Sequence, residues 1–151
     1  MIKIIAIGKK HDDWVVVGIE RYQKRLKKPF DFEWVYLKHS TQSGLVAREK
    51  ESQDILSRVN ANDYLVLLDE RGKNLDSGGL SAVLSEQNNH SRQIVIVIGG
   101  AYGVSRELTD RADLIWSLSR LVFPHQMVRL ILTEQIYRAQ EIASGNPYHH
   151  E

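Results

Sequence analysis

Residues 94–98 read Ile-Val-Ile-Val-Ile, five β-branched residues in a row with no polar position among them. A strand with one face in water alternates apolar and polar side chains, because successive residues point to opposite faces. An unbroken apolar run belongs instead to a strand covered on both sides, as in parallel sheets flanked by helices. The rest of the chain has the matching rhythm. Short apolar runs at Ile2–Ile7, Phe32–Leu37, 64–68, Ile94–Ile98 and 114–116 alternate with helical patterns at 13–28, 45–59, 80–88, 105–112 and His125–Ala143. This alternation predicts an α/β fold on a parallel sheet. No repeat, low-complexity tract or linker divides the chain, so residues 1–151 are expected to form a single domain.

The last helix carries a second message. From Val128 the template i, i+3, i+4, i+7 passes through Ile131, Leu132, Gln135, Ile136, Ala139, Ile142 and Ala143, apolar at seven of eight positions. Leu130 and Tyr137 lie off that stripe. A helix apolar on more than one side is either central in its own fold or packed on a second subunit, and the reading favoured here is a subunit contact.

Composition excludes several classes of function. A chain of 151 residues buries roughly 68–70% of its unfolded surface, enough for one core. The absence of cysteine rules out disulfides, thiolate nucleophiles and thiolate metal sites, and is consistent with a cytoplasmic location. The N-terminal apolar run is too short for a signal peptide, and no run approaches the ~18–20 apolar residues of a membrane span. The formal net charge is +1, so any surface for a polyanion has to be local. Residues 9–28 hold seven Lys or Arg against three acids, and Arg21, Lys24, Arg25 and Lys28 fall at i, i+3, i+4 and i+7. They are expected on one face of the first helix, either merely solvated or gripping phosphates.

The buried strand empties into Gly99, Gly100 and Gly103, and a strand that ends in glycines often meets a nucleotide. Here the dinucleotide fingerprint fails. Its first glycine would stand at Ile98, and no acidic residue follows the next strand to hold a ribose. A phosphate-binding P-loop fails as well, since no Gly-Lys-Ser/Thr follows. The glycines then either shape a tight strand-to-helix turn or let backbone approach a different ligand. Two more segments, "LLDERGKNL" (67–75) and "SLSRLVFPH" (117–125), also come directly after expected strands. Ligands of open α/β sheets bind beyond the carboxyl ends of strands, so three such loops would line one pocket. Leu118, Leu121 and Phe123 would offer it apolar walls for a flat ring.

These segments carry a resemblance. "LLDERGK", "VIGGAYGVS", "SLSRLVFPHQMVRLILTEQIYRA" and the closing "NPYHHE" closely resemble the RlmH (YbeA-like) family of the SPOUT methyltransferase superfamily, over essentially the whole chain. The resemblance implies a C-terminal trefoil knot, spanning about residues 64–151 in this chain. It also implies a homodimer that uses S-adenosylmethionine to methylate N3 of a pseudouridine in 23S rRNA of the assembled ribosome. Carried over by motif position, the methyl donor would touch Leu68, Gly99, Gly103 and the run Leu118, Ser119, Arg120, Leu121, Val122 and Phe123. Neither a metal nor a membrane is implied.

Methyl transfer is an in-line displacement, so such an enzyme mainly positions and desolvates. The imide N3–H must still give up its proton to an acceptor. From the resemblance, the tail with Tyr148 and His149 would reach the partner's pocket, His149 serving as base or proton relay. Arg129 would contact substrate or a developing anion, and His125 would shape the donor loop. Family members usually carry Arg or Lys where this chain has His150, which removes a permanent charge. A catalytically silent ribosome- or RNA-binding protein with the same fold is the alternative. His149, His150 and Glu151 make a poor metal site, because adjacent residues rarely converge on one ion. Glu134 and Arg138, at i and i+4, read as a helix-stabilising pair. Asp69 and Glu70 read more simply as turn residues than as bases.

Overall fold

The strand without a polar face lies in the middle of the sheet. The computed structural model describes residues 1–150. Five strands, β1 (Ile2–Ile7), β2 (Phe32–Leu37), β3 (Tyr64–Asn74), β4 (Ile94–Ile98) and β5 (Leu114–Ser117), form one sheet in the order β2-β1-β4-β3-β5. Every pairing is parallel. Five helices alternate with them: α1 (Asp13–Gln23), α2 (Gly44–Leu56), α3 (Ser77–Asn89), α4 (Arg106–Arg111) and α5 (His125–Ala143).

Burial follows from the alternation of side chains along each strand. Ile94, Ile96 and Ile98 of β4 point into a core with Leu80 and Leu84 of α3 and Leu132, Ile136 and Ala139 of α5. Val95 and Val97 point the other way, to Ile55 of α2 and Leu108 of α4. α5 lies between α1 and α3 on its face of the sheet.

That central position explains the residues off the main stripe of α5. Leu130 meets α1 at Gly18, where an added Cβ would come within 2.7 Å of its Cδ1. Tyr137 is 8% exposed, with Tyr22 of α1 at 5.7 Å and Tyr148 at 4.9 Å between ring centroids. Both residues are used within the chain, so they give no sign of a second subunit.

Four elements depart from the sequence reading, the simplest being α2, which runs from Gly44 to Leu56 and stops short of residue 59. α1 stops at Gln23 instead of continuing to Lys28, because α5 takes over the backbone beyond it. The side chain of Gln140 accepts the Lys27 N–H at 2.6 Å and donates to the Arg25 carbonyl at 3.2 Å. Arg21, Lys24, Arg25 and Lys28 therefore do not share a helix face. Residues 24–31 lead into the amino end of β2, at the sheet edge opposite the carboxyl ends of the strands. α3 begins at Ser77, before the expected Leu80, because Asp76 caps it by accepting the Gly79 N–H at 2.6 Å.

β3 differs most. Instead of ending at Leu68 it continues to Asn74, with a break in register. Leu68 and Lys73 both lie opposite Trp116, so residues 69–72 arch out of the ladder. Gly72 closes the arch against β5. A Cβ there would stand 2.6 Å from the Ile115 carbonyl oxygen and 2.8 Å from the Trp116 nitrogen, both backbone atoms without freedom to move aside. Gly72→Ala is expected to cost about 1–3 kcal/mol as overpacking, read as a lower midpoint in urea unfolding.

Candidate active site

At the carboxyl ends of β3, β4 and β5 the loops enclose a cavity of about 520 Å³. That lies within the range of small-molecule sites, about 300–1,000 Å³. The arch after Leu68 supplies Asp69, Glu70 and Arg71; the exit of β4 supplies Gly99, Gly100 and Gly103; the segment after β5 supplies Leu118, Ser119, Leu121, Val122 and Phe123. Eight of the nine residues carried over by motif thus line one cavity, and Arg120 does not.

Each wall has a local cause. Gly103 has φ +76°, in the left-handed region, and its N–H donates to the Gly100 carbonyl at 3.1 Å, closing a tight turn. Ser105 caps α4 by accepting the Leu108 N–H at 3.2 Å. In the segment after β5, Ser117 Oγ donates to the Ser119 carbonyl and Ser119 Oγ accepts the Leu121 N–H. This winding leaves Leu121 and Val122 70% and 77% exposed. Asp69 accepts from the Arg71 backbone N–H and from its Nε and Nη2, along one edge of the guanidinium, which keeps the carboxyl below the usual range.

His125, at the start of α5, bridges two walls. Its Nε2 lies 2.9 Å from the Gly99 carbonyl and donates to it. Burial, with Arg129 one turn on, lowers its pKa, so the ring is a neutral donor. Helix α2, which the sequence reading assigned no role, backs the glycine turn from behind. Arg48 donates to the Tyr102 carbonyl at 2.7 Å, and Ser52 Oγ accepts the Ser105 N–H at 2.8 Å. The signal available was the helical spacing of polar residues on a buried face.

The residues expected to act in catalysis are not together in this chain. Arg129 is 1% exposed. Its Nη1 donates to the Lys9 carbonyl at 2.8 Å and faces His11 Nδ1 at 3.4 Å, tying the β1–α1 loop to α5. Tyr148 and His149 fold back on α5. Tyr148 donates to Glu134 at 3.1 Å, and its ring lies under the Arg138 guanidinium. Burial and the nearby Glu134 charge push the phenol up to about 12, so it stays protonated. Arg138 Nη1 lies 3.1 Å from His149 Nδ1. The expected Glu134–Arg138 pair is present at 2.6 Å and also anchors this tail. His149 lines a second hollow, which shares Trp116 and Leu118 with the first. Among the described residues there is no cluster of metal ligands, and no helix is long and apolar enough to cross a membrane. Glu151 lies outside the described residues.

The geometry is that of a parallel α/β protein whose cavity joins a charged arch, a glycine turn and an apolar segment. Comparison with known proteins makes the class specific. Residues 1–149 match the family model described as "Predicted SPOUT methyltransferase", and the chain belongs to that family. It is similar to proteins named "Ribosomal RNA large subunit methyltransferase H" from several bacteria. That of Desulfotalea psychrophila is 42% identical, covering 97% of both chains. That of Geobacter metallireducens is 40% identical, over 99% of this chain and 98% of the relative. That of Prochlorococcus marinus (strain NATL2A) is 44% identical, over 99% and 95%.

His11 gives this region a pH dependence. Its Nε2 lies 2.8 Å from the Tyr36 hydroxyl. Burial, followed by the Arg129 charge, lowers its pKa from 6.5 to about 4. Between those values the unfolded chain binds a proton that the folded chain refuses, so stability present above 6.5 is lost as pH falls towards 4. After allowance for solvent screening the loss is on the order of 1–2 kcal/mol. In urea unfolding across this window, His11→Gln is expected to show a shallower pH slope than wild type.

Proposed function

We propose that this protein is a cytoplasmic rRNA methyltransferase. It transfers a methyl group from S-adenosylmethionine to N3 of a pseudouridine in 23S rRNA of the assembled ribosome, and works as a homodimer. The observation that carries this reading is the convergence of the β3 arch and the exits of β4 and β5 on one cavity, in a chain of the SPOUT methyltransferase family. The names of its relatives support an rRNA substrate.

The cavity fits the donor. Leu118, Leu121 and Phe123 offer apolar surface to a flat ring, and Gly99, Gly100 and Gly103 leave backbone bare along one wall. Leu68, Gly99 and Gly103 would hold the donor with Leu118, Ser119, Leu121, Val122 and Phe123, and Arg120 would close over it from outside. When bound, S-adenosylmethionine supplies an electrophilic methyl carbon on a sulfonium. The chain itself excludes water with Leu118 and Phe123. It reads polar edges with backbone groups and fixes Gly99 through His125.

The proton from N3 goes to His149 of the tail. In its own chain the tail does not line the donor cavity, which favours delivery from a partner subunit. Exposed Leu121, Val122 and Met127 surround the cavity and the start of α5, and offer apolar surface for that partner. Tyr148 anchors the tail, and Arg129 acts by holding the β1–α1 loop beside the substrate. The trefoil knot belongs to the same reading, and the renewed pairing of β3 with β5 at Lys73 and Asn74, beyond the arch, supports it.

Calorimetry is expected to show S-adenosylmethionine binding at micromolar concentration; no binding at high micromolar levels removes the enzyme reading and leaves a silent RNA-binding protein. His149→Ala should keep donor binding yet lose at least about 100-fold in methyl transfer to ribosomes. Unchanged transfer would free His149 of that role. Sedimentation should give twice the 17.3 kDa of one chain.

A further inference from the structure

Helix α2 grips the glycine turn with Arg48 and Ser52, and between them on the same face stands Glu51. Its carboxyl is 2% exposed, in a stripe otherwise formed by Ala47, Ser52 and Ile55. Oε2 accepts the Ser40 N–H at 3.2 Å and lies 3.8 Å from His39 Nδ1. Oε1 is buried without a hydrogen-bond partner. It points at the turn: a Cβ on Gly100 would stand only 2.8 Å from it. A leucine or methionine would fill this place without stranding a charge, and buried polar atoms left unpaired are rare and costly.

We propose that Glu51 is a positioning residue for the methyl-donor turn. In the donor-bound state, the arc around Gly100 turns a backbone N–H onto the waiting Oε1. The held arc then presents Gly99 and Gly103 to the donor. Gly100 is glycine because the carboxylate has to touch the backbone there. This inference rests on the donor reading of the cavity given above.

Isothermal titration with S-adenosylmethionine tests it on the full-length wild type, Glu51→Gln, Gly100→Ala and the double variant. Glu51→Gln keeps the shape but loses one acceptor, and donor affinity should fall about tenfold or more. In turnover with ribosomes, KM for the donor should rise while kcat stays nearly constant. Gly100→Ala drives its Cβ into the same oxygen, so the double variant should bind no worse than the weaker single one. Wild-type affinity in Glu51→Gln, or losses that multiply in the double variant, would overturn the proposal while the donor reading stands. A wild-type protein that binds no donor overturns both. If Glu51→Gln does not fold, hydrogen exchange of the wild type decides. Amides at residues 100–102 must gain protection when donor is added, and unchanged protection overturns the proposal.

Discussion

The two-sided burial of β4 is the constraint on which the other parts of the molecule depend. A strand apolar on both faces has to be flanked by strands and covered by helices on each side, and β1, β3, α5 and α2 meet those needs. Once β4 is fixed in the centre, its last residue delivers Gly99 to the middle of the carboxyl edge. The arch after Leu68 and the segment after Ser117 then stand on the neighbouring strands. The cavity is a by-product of how the core is closed. Its glycine wall stands at the exit of the most tightly covered strand, with the arch and the apolar segment on either side.

Much of this was legible in the residues. The period of two with no polar member marks β4, and the glycines after it mark a place where backbone comes close to something. Proline before His125 and the apolar stripe beyond it define α5 to both ends. Failures arose where a distant side chain overrides local preference. Lys24, Arg25 and Lys28 have the spacing and propensity of a helix face, yet Gln140, 113 residues from Lys27 in the chain, takes the backbone they would have used. The arch of β3 was hidden for a related reason. Asp-Glu-Arg-Gly has the composition of a turn, and only pairing with β5 restores the strand at Lys73.

The site was half legible. Motif positions brought eight residues to one cavity, but their spacing has no way of reporting what stands behind the turn. Glu51 is the instructive case. It occupies the helical position between Ala47 and Ile55, where the stripe asks for an apolar residue, and such an exception is where a charged side chain has a task. Arg129 teaches the reverse. Its charge and motif position carry the expectation of a substrate contact, but no spacing reports that its Nη1 donates to the Lys9 carbonyl inside the fold.

The bond between Gln140 and the Lys27–Arg25 backbone has a consequence for the order in which the molecule is completed. The first crossover, from β1 through α1 to β2, is finished by a residue near the other end of the chain. Arg129 ties the β1–α1 loop in the same way, and Ser81 of α3 donates to the Ala139 carbonyl. A growing chain therefore carries its first third drafted but unfastened until α5 has been made, and α5 then bolts the early units together. The wall of the cavity that Gly99 forms stands on a sheet whose first crossover is held shut from more than a hundred residues downstream.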